Sequence, residues 1–215
     1  MITTKEMIAL ERAASKKGTF PLNLMENAGK EICRVLNEKY DLSDKHLVIF
    51  AGTGNNAGDG FVAARECLEI CPTLILLFGS EEQFSEETKE NYDKIKDAVT
   101  VVHVHSAEDL KNFQFQKNHQ LVLLDALLGT GIVGEVRQPI AFGIDFFNQL
   151  EGIKVSIDVP SGLNPDTGEG SKSCDVELVI ALHDIKAGLM HLEDKTMIVD
   201  IGLTKNPLTS SQMNN

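Results

Sequence analysis

The sequence predicts an α/β fold, a three-layer αβα sandwich around a mostly parallel sheet, entered through two N-terminal helices. Three observations predict it. Short apolar runs alternate with segments of helical periodicity, the pattern of strands joined by right-handed crossovers. The runs are apolar throughout, as strands covered on both faces are; Leu47-Val48-Ile49-Phe50, Leu74-Ile75-Leu76-Leu77-Phe78 and Leu121-Val122-Leu123-Leu124 are examples. Three of the runs end in polar, glycine-bearing loops. Loops of that kind at the carboxyl ends of parallel strands form one crevice at the sheet margin, where such folds bind ligands.

Taken in order, Thr3 or Thr4 is a good N-cap for a first helix carrying Met7, Leu10, Ala13 and Ala14 at helical spacing, interrupted by Gly18 and Pro21. Leu24, Met25, Ala28, Ile32, Val35 and Leu36 trace a second amphipathic helix to about Tyr40. Glu26 and Asn27 place a carboxylate and an amide side by side in its first turn, either as a solvated helix start or as part of a site. Residues 46–51 read as a strand, 61–68 as a helix and 73–78 as a strand. Ser85 opens a charged surface helix to about Ala98; 101–105 is a strand and 107–112 a short helix. Leu121 to Asp125 is a strand, and a helix runs from Pro139, with proline near its first position, to about Asn148. Residues 154–158 form a strand, Asn164-Pro165-Asp166-Thr167-Gly168 is turn chemistry, and 176–182 and 197–199 close the sheet. Residues 1–205 read as a single domain and 206–215 as a polar tail.

Length and composition set the bounds. A chain of 215 residues is long enough for one sizeable core, and 42% hydrophobic with 24% charged residues is ordinary for a globular domain. A formal net charge of −12 argues against a nucleic-acid partner and against anionic membrane, yet leaves room for a phosphate held locally by backbone amides. No apolar run approaches the roughly 20 residues of a membrane span, and the N-terminus has neither an apolar signal core nor an arginine-rich leader. Cys33, Cys67, Cys71 and Cys174 lack metal-type spacing. Cys67 and Cys71, one helical turn apart, are expected to be small core residues in a reducing, cytoplasmic compartment. The six histidines form no metal-ligand pattern; His103 and His105 share a strand face, and they and His119 are read as structural.

The most informative stretch is Ala51-Gly52-Thr53-Gly54-Asn55-Asn56-Ala57-Gly58-Asp59-Gly60. It lies between a strand and a helix, where bare backbone N–H groups and the helix dipole can meet a phosphate. Gly52, Gly54 and Ala57 fit the loose pattern G-x-G-x-x-G/A, which taken alone is equally compatible with a tight turn. A second cluster, Gly129-Thr130-Gly131-Ile132-Val133-Gly134, and a third, Asp158-Val159-Pro160-Ser161-Gly162, shift the balance toward a ligand. No lysine of a Walker A motif follows Gly58 or Gly134, and no G-x-S-x-G elbow is present.

In order along the chain, Leu24-Met25-Glu26-Asn27-Ala28-Gly29, Gly54-Asn55-Asn56-Ala57-Gly58-Asp59-Gly60, Asp125-Ala126-Leu127-Leu128-Gly129-Thr130-Gly131, Asp158-Val159-Pro160-Ser161-Gly162 and Lys186-Ala187-Gly188 resemble the motifs of the NAD(P)H-hydrate epimerase family. The resemblance spans about residues 3–203. Ala57 departs from it, standing where the family usually has glycine; one added methyl is expected to be tolerated unless the position needs positive φ. The resemblance implies a Rossmann-like domain that interconverts the R and S epimers at C6 of hydrated NADH or NADPH, a nucleotide-repair isomerase. It implies a homodimer, with the two N-terminal helices as candidate interface, and an ATP- or ADP-dependent dehydratase that would be a separate chain.

Carried over by position, the resemblance implies substrate contacts at Asn55, Asn56, Ala57, Gly58 and Asp59, at Gly129, Thr130, Gly131, Ile132, Val133, Gly134 and Glu135, and at Asp158. It implies a potassium ion at Asn56, Asp125 and Ser161. The residue types suit such a cation, which takes oxygen ligands from carboxylate, amide and hydroxyl groups. Asp125 reads equally as a helix N-cap and Ser161 as a turn hydroxyl. Epimerisation requires the C6 hydroxyl to leave with a proton and return on the other face, work for a carboxylate that alternates between acid and base. Asp158 is the candidate. Lys186 is a second catalytic candidate, either as partner acid or as a charge that holds Asp158 ionised, and it reads nearly equally as a surface lysine. An ordinary NAD-dependent dehydrogenase, with Glu81 or Glu82 as ribose ligand, lacks a substrate domain here, and a non-catalytic binding protein would not need Asn55, Asn56, Asp59, Asp125, Asp158 and Ser161 together.

Overall fold

The computed structural model describes residues 1–111, 113, 115, 120–131 and 134–203. His119, Ile132, Val133 and the expected tail at 206–215 lie outside them. Seven strands form one sheet: β1 (Lys45–Ala51), β2 (Thr73–Phe78), β3 (Thr100–Val104), β4 (Gln120–Ala126), β5 (Ile153–Ile157), β6 (Leu178–Leu182) and β7 (Thr196–Val199), in the order β3-β2-β1-β4-β5-β6-β7. Every pairing is parallel. Strand order reverses between β1 and β4, so the two chains that leave their carboxyl ends diverge and open a crevice there. The register sets Phe50 opposite Asp125, and Asp125 opposite Ser156, at the centre of that margin.

Helices α1 (Thr4–Lys16), α2 (Pro21–Tyr40), α3 (Asn55–Cys67) and α4 (Glu86–Ile95) cover one face; α5 (Ile140–Gln149) covers the other. Thr3 and Glu6 form a reciprocal capping box at the start of α1, and Pro21 occupies the first turn of α2. The covered faces follow the strand period of two. Leu47, Ile49 and Ala51 join the core under α2 and α3, while Val48 and Phe50 join the other under α5. Phe50 stacks on Phe78 at 5.7 Å between centroids and meets Phe147 edge-on at 5.1 Å, contacts that add about 0.5–1.5 kcal/mol each beyond area burial.

Several expectations are corrected. The third helix begins at Asn55, so the glycine-rich stretch supplies its first turns rather than a turn before it. Its glycines serve close packing: a Cβ on Gly58 would lie 2.5 Å from Met25, and one on Gly60 would lie 3.0 Å from Ala126. Ala57 is inside that helix, buried and without positive φ. Cys67 ends α3, so Cys71 falls beyond the helix, and Cys67 is joined to Cys33 of α2 as a disulfide with a Cα–Cα distance of 5.9 Å. The pairing arises because α2 and α3 lie against each other across Gly29, whose Cβ would come within 2.3 Å of Val62. Glu26 and Asn27 sit in the second turn of α2 and act as clamps: Glu26 accepts from Arg65 and Lys94, and Asn27 Nδ2 donates to Ile201 O at 3.0 Å. The charged helix stops at Ile95, Ala107–Leu110 is a 3-10 turn, and a 3-10 segment absent from the sequence reading spans Ala187–Lys195. No helix among the described residues is long and apolar enough to cross a membrane.

Candidate active site

At the crevice, Gly52 to Gly54 leave β1 and enter α3. A Cβ on Gly52 would stand 2.0 Å from the Leu127 carbonyl oxygen, so only glycine lets the β1 and β4 exits cross this closely. No side chain caps α3, which leaves an N-terminus able to face an anion. The Asn55 side chain is held by the Ser85 hydroxyl at 2.8 Å, and Thr88 Oγ1 donates to Gly54 O at 3.3 Å, so α4 steadies the turn. The crevice opens into a cavity of about 950 Å³ lined from α1, α2 and all three glycine loops.

Its floor is a buried knot around Asp125. Ser161 N donates to Asp125 Oδ2 at 2.7 Å and Ser161 Oγ to Oδ1 at 2.5 Å; Ser156 Oγ and Leu127 N add 3.1 and 3.2 Å bonds. Leu128 N donates to Ser161 Oγ at 2.8 Å, and Asn56 Nδ2 donates to Leu128 O at 2.9 Å. Asn56, Asp125 and Ser161 therefore meet through one dipeptide, Leu127-Leu128. Asp125 belongs to β4 and caps no helix. Burial pushes its carboxyl up, and the hydrogen bonds from Ser161, Leu127 and Ser156 oppose that rise.

Asp158 stands beside this knot. It follows β5 with φ of 64°, the left-handed region that costs a non-glycine residue about 1–3 kcal/mol and that aspartate tolerates better than most. Its backbone N–H donates to Ile180 O at 2.8 Å, which fixes the turn against β6. Leu182 N donates to Asp158 Oδ1 at 3.0 Å, and Lys186 Nζ donates to the same oxygen. Lys186 is wholly buried, not a surface lysine; its ammonium also donates to Leu182 O at 2.9 Å and Asp184 O at 3.3 Å. That burial is a tertiary effect, since the acceptors come from two separate strand ends, Asp158 after β5, and Leu182 and Asp184 at and just past the end of β6.

Of the residues expected at the site, Asn55, Asn56, Asp59, Gly129, Thr130, Gly131, Glu135 and Asp158 line the cavity. Asp125, Ser161 and Lys186 sit behind its wall, Ala57 and Gly58 pack inward, Gly134 lies apart with φ of 80°, and Ile132 and Val133 are outside the described residues. Three charged residues that sequence reasoning missed also line it, Glu11, Glu87 and Arg137. Glu11 had a signal: it lies four residues after Met7 and three before Ala14, on the stripe of α1 that faces inward.

Asp59 is 8% exposed, lines the cavity and makes no hydrogen bond from its side chain among the described residues. Burial first, then the charges of Asp158 and Glu11, hold its carboxyl well above the usual aspartate range, while Lys186 acts in the opposite sense. The native state thus binds this proton more tightly than the unfolded chain does. The associated stability is complete below the unfolded value and is lost as pH rises through the folded one. Asp59→Asn is accordingly expected to raise the melting temperature near neutral pH, with the gain vanishing on acidification into the ordinary aspartate range. Equal melting curves for both proteins at neutral pH would contradict it.

The chain is similar to known proteins along most of its length. The family described as YjeF-related protein N-terminus matches residues 21–188. The NAD(P)H-hydrate epimerase of Nitrosopumilus maritimus is 34% identical over 201 residues, covering 91% of this chain and 90% of that protein. The NAD(P)H-hydrate epimerase of Cenarchaeum symbiosum is 33% identical over 198 residues, with 91% and 90% covered. The bifunctional NAD(P)H-hydrate repair enzyme Nnr of Methanopyrus kandleri is 36% identical over 200 residues, and the match takes in 39% of its length, so the chain spans well under half of that relative. The crystal structure of yeast ynu0 superposes with a TM-score of 0.81 at 22% identity, covering 96% of this chain and 90% of that one; at that identity the likeness shows the fold.

Proposed function

Because the chain belongs to the YjeF-related protein N-terminus family, we propose that it is an NAD(P)H-hydrate epimerase, an isomerase that interconverts the C6 epimers of hydrated NADH and NADPH. The observation that carries the reading is Asp158, a carboxylate held in a rare backbone conformation by Leu182 and the buried Lys186 at the wall of a nucleotide-sized cavity. The uncapped α3 N-terminus and the loop at 129–131 suit the pyrophosphate. The ring nitrogen's lone pair expels the C6 hydroxyl and leaves a conjugated iminium ion. Asp158 exchanges a proton with the oxygen at C6, worth roughly 10²–10⁴ in rate. Lys186 keeps the carboxylate oriented.

A potassium ion at Asn56, Asp125 and Ser161 belongs to the same proposal. The donor set supports it: a fully buried carboxylate with only neutral hydrogen-bond donors around it, a hydroxyl and an amide, all tied to the dipeptide Leu127-Leu128. When bound, the ion would offset the buried charge of Asp125 and fix the loop that follows β4. A homodimer, a cytoplasmic location and a dehydratase partner are further parts of the reading, the last in keeping with the bifunctional repair enzymes among the relatives. The test is to mix the protein with one isolated hydrate epimer and follow the other by chromatography. Interconversion is expected, faster in potassium than in lithium; an epimer that stays pure rejects the function, and equal rates in both salts reject the ion.

A further inference from the structure

Asp158 alone leaves half of the chemistry unattended. Its Oδ1 is occupied by Leu182 N and Lys186 Nζ, so one oxygen, on one wall, remains for proton transfer. A planar iminium ion loses its hydroxyl from one face and gains it on the other. A group on a different wall is needed, and α1 supplies one.

Glu11 projects from α1 into the same cavity, in a stretch otherwise apolar there, with Met7 and Ile8 beside it. Its carboxylate makes no hydrogen bond among the described residues. The position of α1 is locked to the loop that bears Lys186. Ile2 N donates to Ile185 O at 2.9 Å, Ala187 N donates to Ile2 O at 3.0 Å, and Thr4 N donates to Asp166 Oδ1 at 2.8 Å. The parallel bridge of Ile2 with Lys186 and the capping box that follows fix the first turn of α1 against the Asp158–Lys186 pair. Glu11 thus keeps a set relation to Asp158 although the two are far apart in the sequence.

We propose that Glu11 is a second catalytic acid–base group of this cavity, handling the proton at the α1 wall while Asp158 handles it at the sheet margin. The inference rests on the epimerase reading. In one direction the protonated Glu11 gives its proton to the departing hydroxyl, the C6–O bond breaks and water leaves. The ring nitrogen's electron pair forms the iminium bond. A second water adds to the opposite face, Asp158 takes its proton, the new C6–O bond forms and the nitrogen recovers its pair. One proton passes from Glu11 to Asp158, and solvent in the cavity restores the starting state by returning a proton to the half-buried Glu11 and taking one from Asp158. The opposite epimer uses the two groups in exchanged roles.

The surroundings suit a proton-bearing Glu11. Burial and then the charge of Asp158 push its carboxyl up, with Lys186 opposing. Asp59 of α3 also faces this group, and Glu87, Glu135 and Arg137 are the other charged residues on the cavity wall. Lys186, the cation that opposes this rise, is already engaged by Asp158 and two carbonyls.

The experiment measures epimerisation of each isolated hydrate epimer by wild type, Glu11→Gln and Glu11→Asp across pH, with a thermal melt of each protein. Wild type is expected to lose kcat at high pH in the direction that begins with a protonated Glu11. Glu11→Gln should lower kcat by about 10²–10⁴-fold at unchanged KM and abolish that limb, and Glu11→Asp should restore part of the rate with the limb shifted. A Glu11→Gln enzyme with wild-type kcat and pH profile, or with a loss confined to KM, overturns the proposal. If Glu11→Gln melts below the assay temperature, Glu11→Asp decides, and an unshifted limb overturns it. Wild-type protein that leaves the epimers untouched refutes the epimerase reading itself, an outcome distinct from an active wild type matched by Glu11→Gln.

Discussion

Asp158→Asn is expected to abolish epimerisation while the protein stays folded. Asparagine keeps the size and one carbonyl oxygen, so Leu182 N and Lys186 Nζ retain an acceptor. It also tolerates the left-handed backbone at this position, where φ is 64°, nearly as well as aspartate does. Its amide can neither give nor take the proton that the oxygen at C6 exchanges. The rate should therefore fall by about 10²–10⁴-fold, with binding of the hydrate preserved. A stability cost comes with it, because removing one partner of a buried ion pair leaves the other uncompensated, at roughly 3–5 kcal/mol where nothing else solvates it. Here Leu182 O and Asp184 O still accept from Lys186, which keeps the loss below that range. Parallel measurement of kcat, hydrate affinity and melting temperature separates the effects. A variant that turns over like wild type would remove Asp158 from the chemistry.

Much of this site is legible in the sequence because its residues sit in short loops next to apolar runs. Asp125, Asp158 and Ser161 each lie within a few residues of a strand end, and parallel strands bring their carboxyl ends to one margin whatever the loops contain. What stays hidden is long-range. Burial of Lys186 depends on carbonyls at 182 and 184 and on a carboxylate 28 residues earlier. The Cys33–Cys67 link joins residues 34 apart, and its signal, two helices in contact over Gly29 and Val62, exists only after packing. Glu11 is intermediate: a carboxylate on the inward stripe of an amphipathic helix is anomalous in the sequence, but what it faces is set by the Ile2 bridge to Lys186. The third helix begins early for a related reason. Glycines at 58 and 60 read as turn residues, whereas here they make room for Met25 and Ala126.

Gly52→Ala and Gly54→Ala, two positions apart in one loop, should behave oppositely, and the contrast isolates how the loop supports the site. A Cβ at Gly54 meets nothing within 4 Å, so alanine there costs little beyond a weaker N-cap, about 1 kcal/mol or less. A Cβ at Gly52 would lie 2.0 Å from Leu127 O and 2.9 Å from its carbonyl carbon. Backbone cannot yield there as the tip of a side chain could. Leu127 N is bonded to Asp125 and Leu128 N to Ser161, while Leu128 O accepts from Asn56. Displacing this dipeptide strains the buried carboxylate knot together with the crossing of β1 and β4, where Gly52 N donates to Ala126 O at 3.0 Å. Overpacking of this kind costs about 3 kcal/mol or more. In a domain of this size each kcal/mol lowers the melting temperature by roughly 2–4 °C. Gly52→Ala should therefore melt far below Gly54→Ala, and whatever activity it keeps should have lost its dependence on potassium, since Asn56, Asp125 and Ser161 share the displaced residues. Equal melting of the two variants would show that Leu127-Leu128 moves freely and that the knot does not fix the crevice.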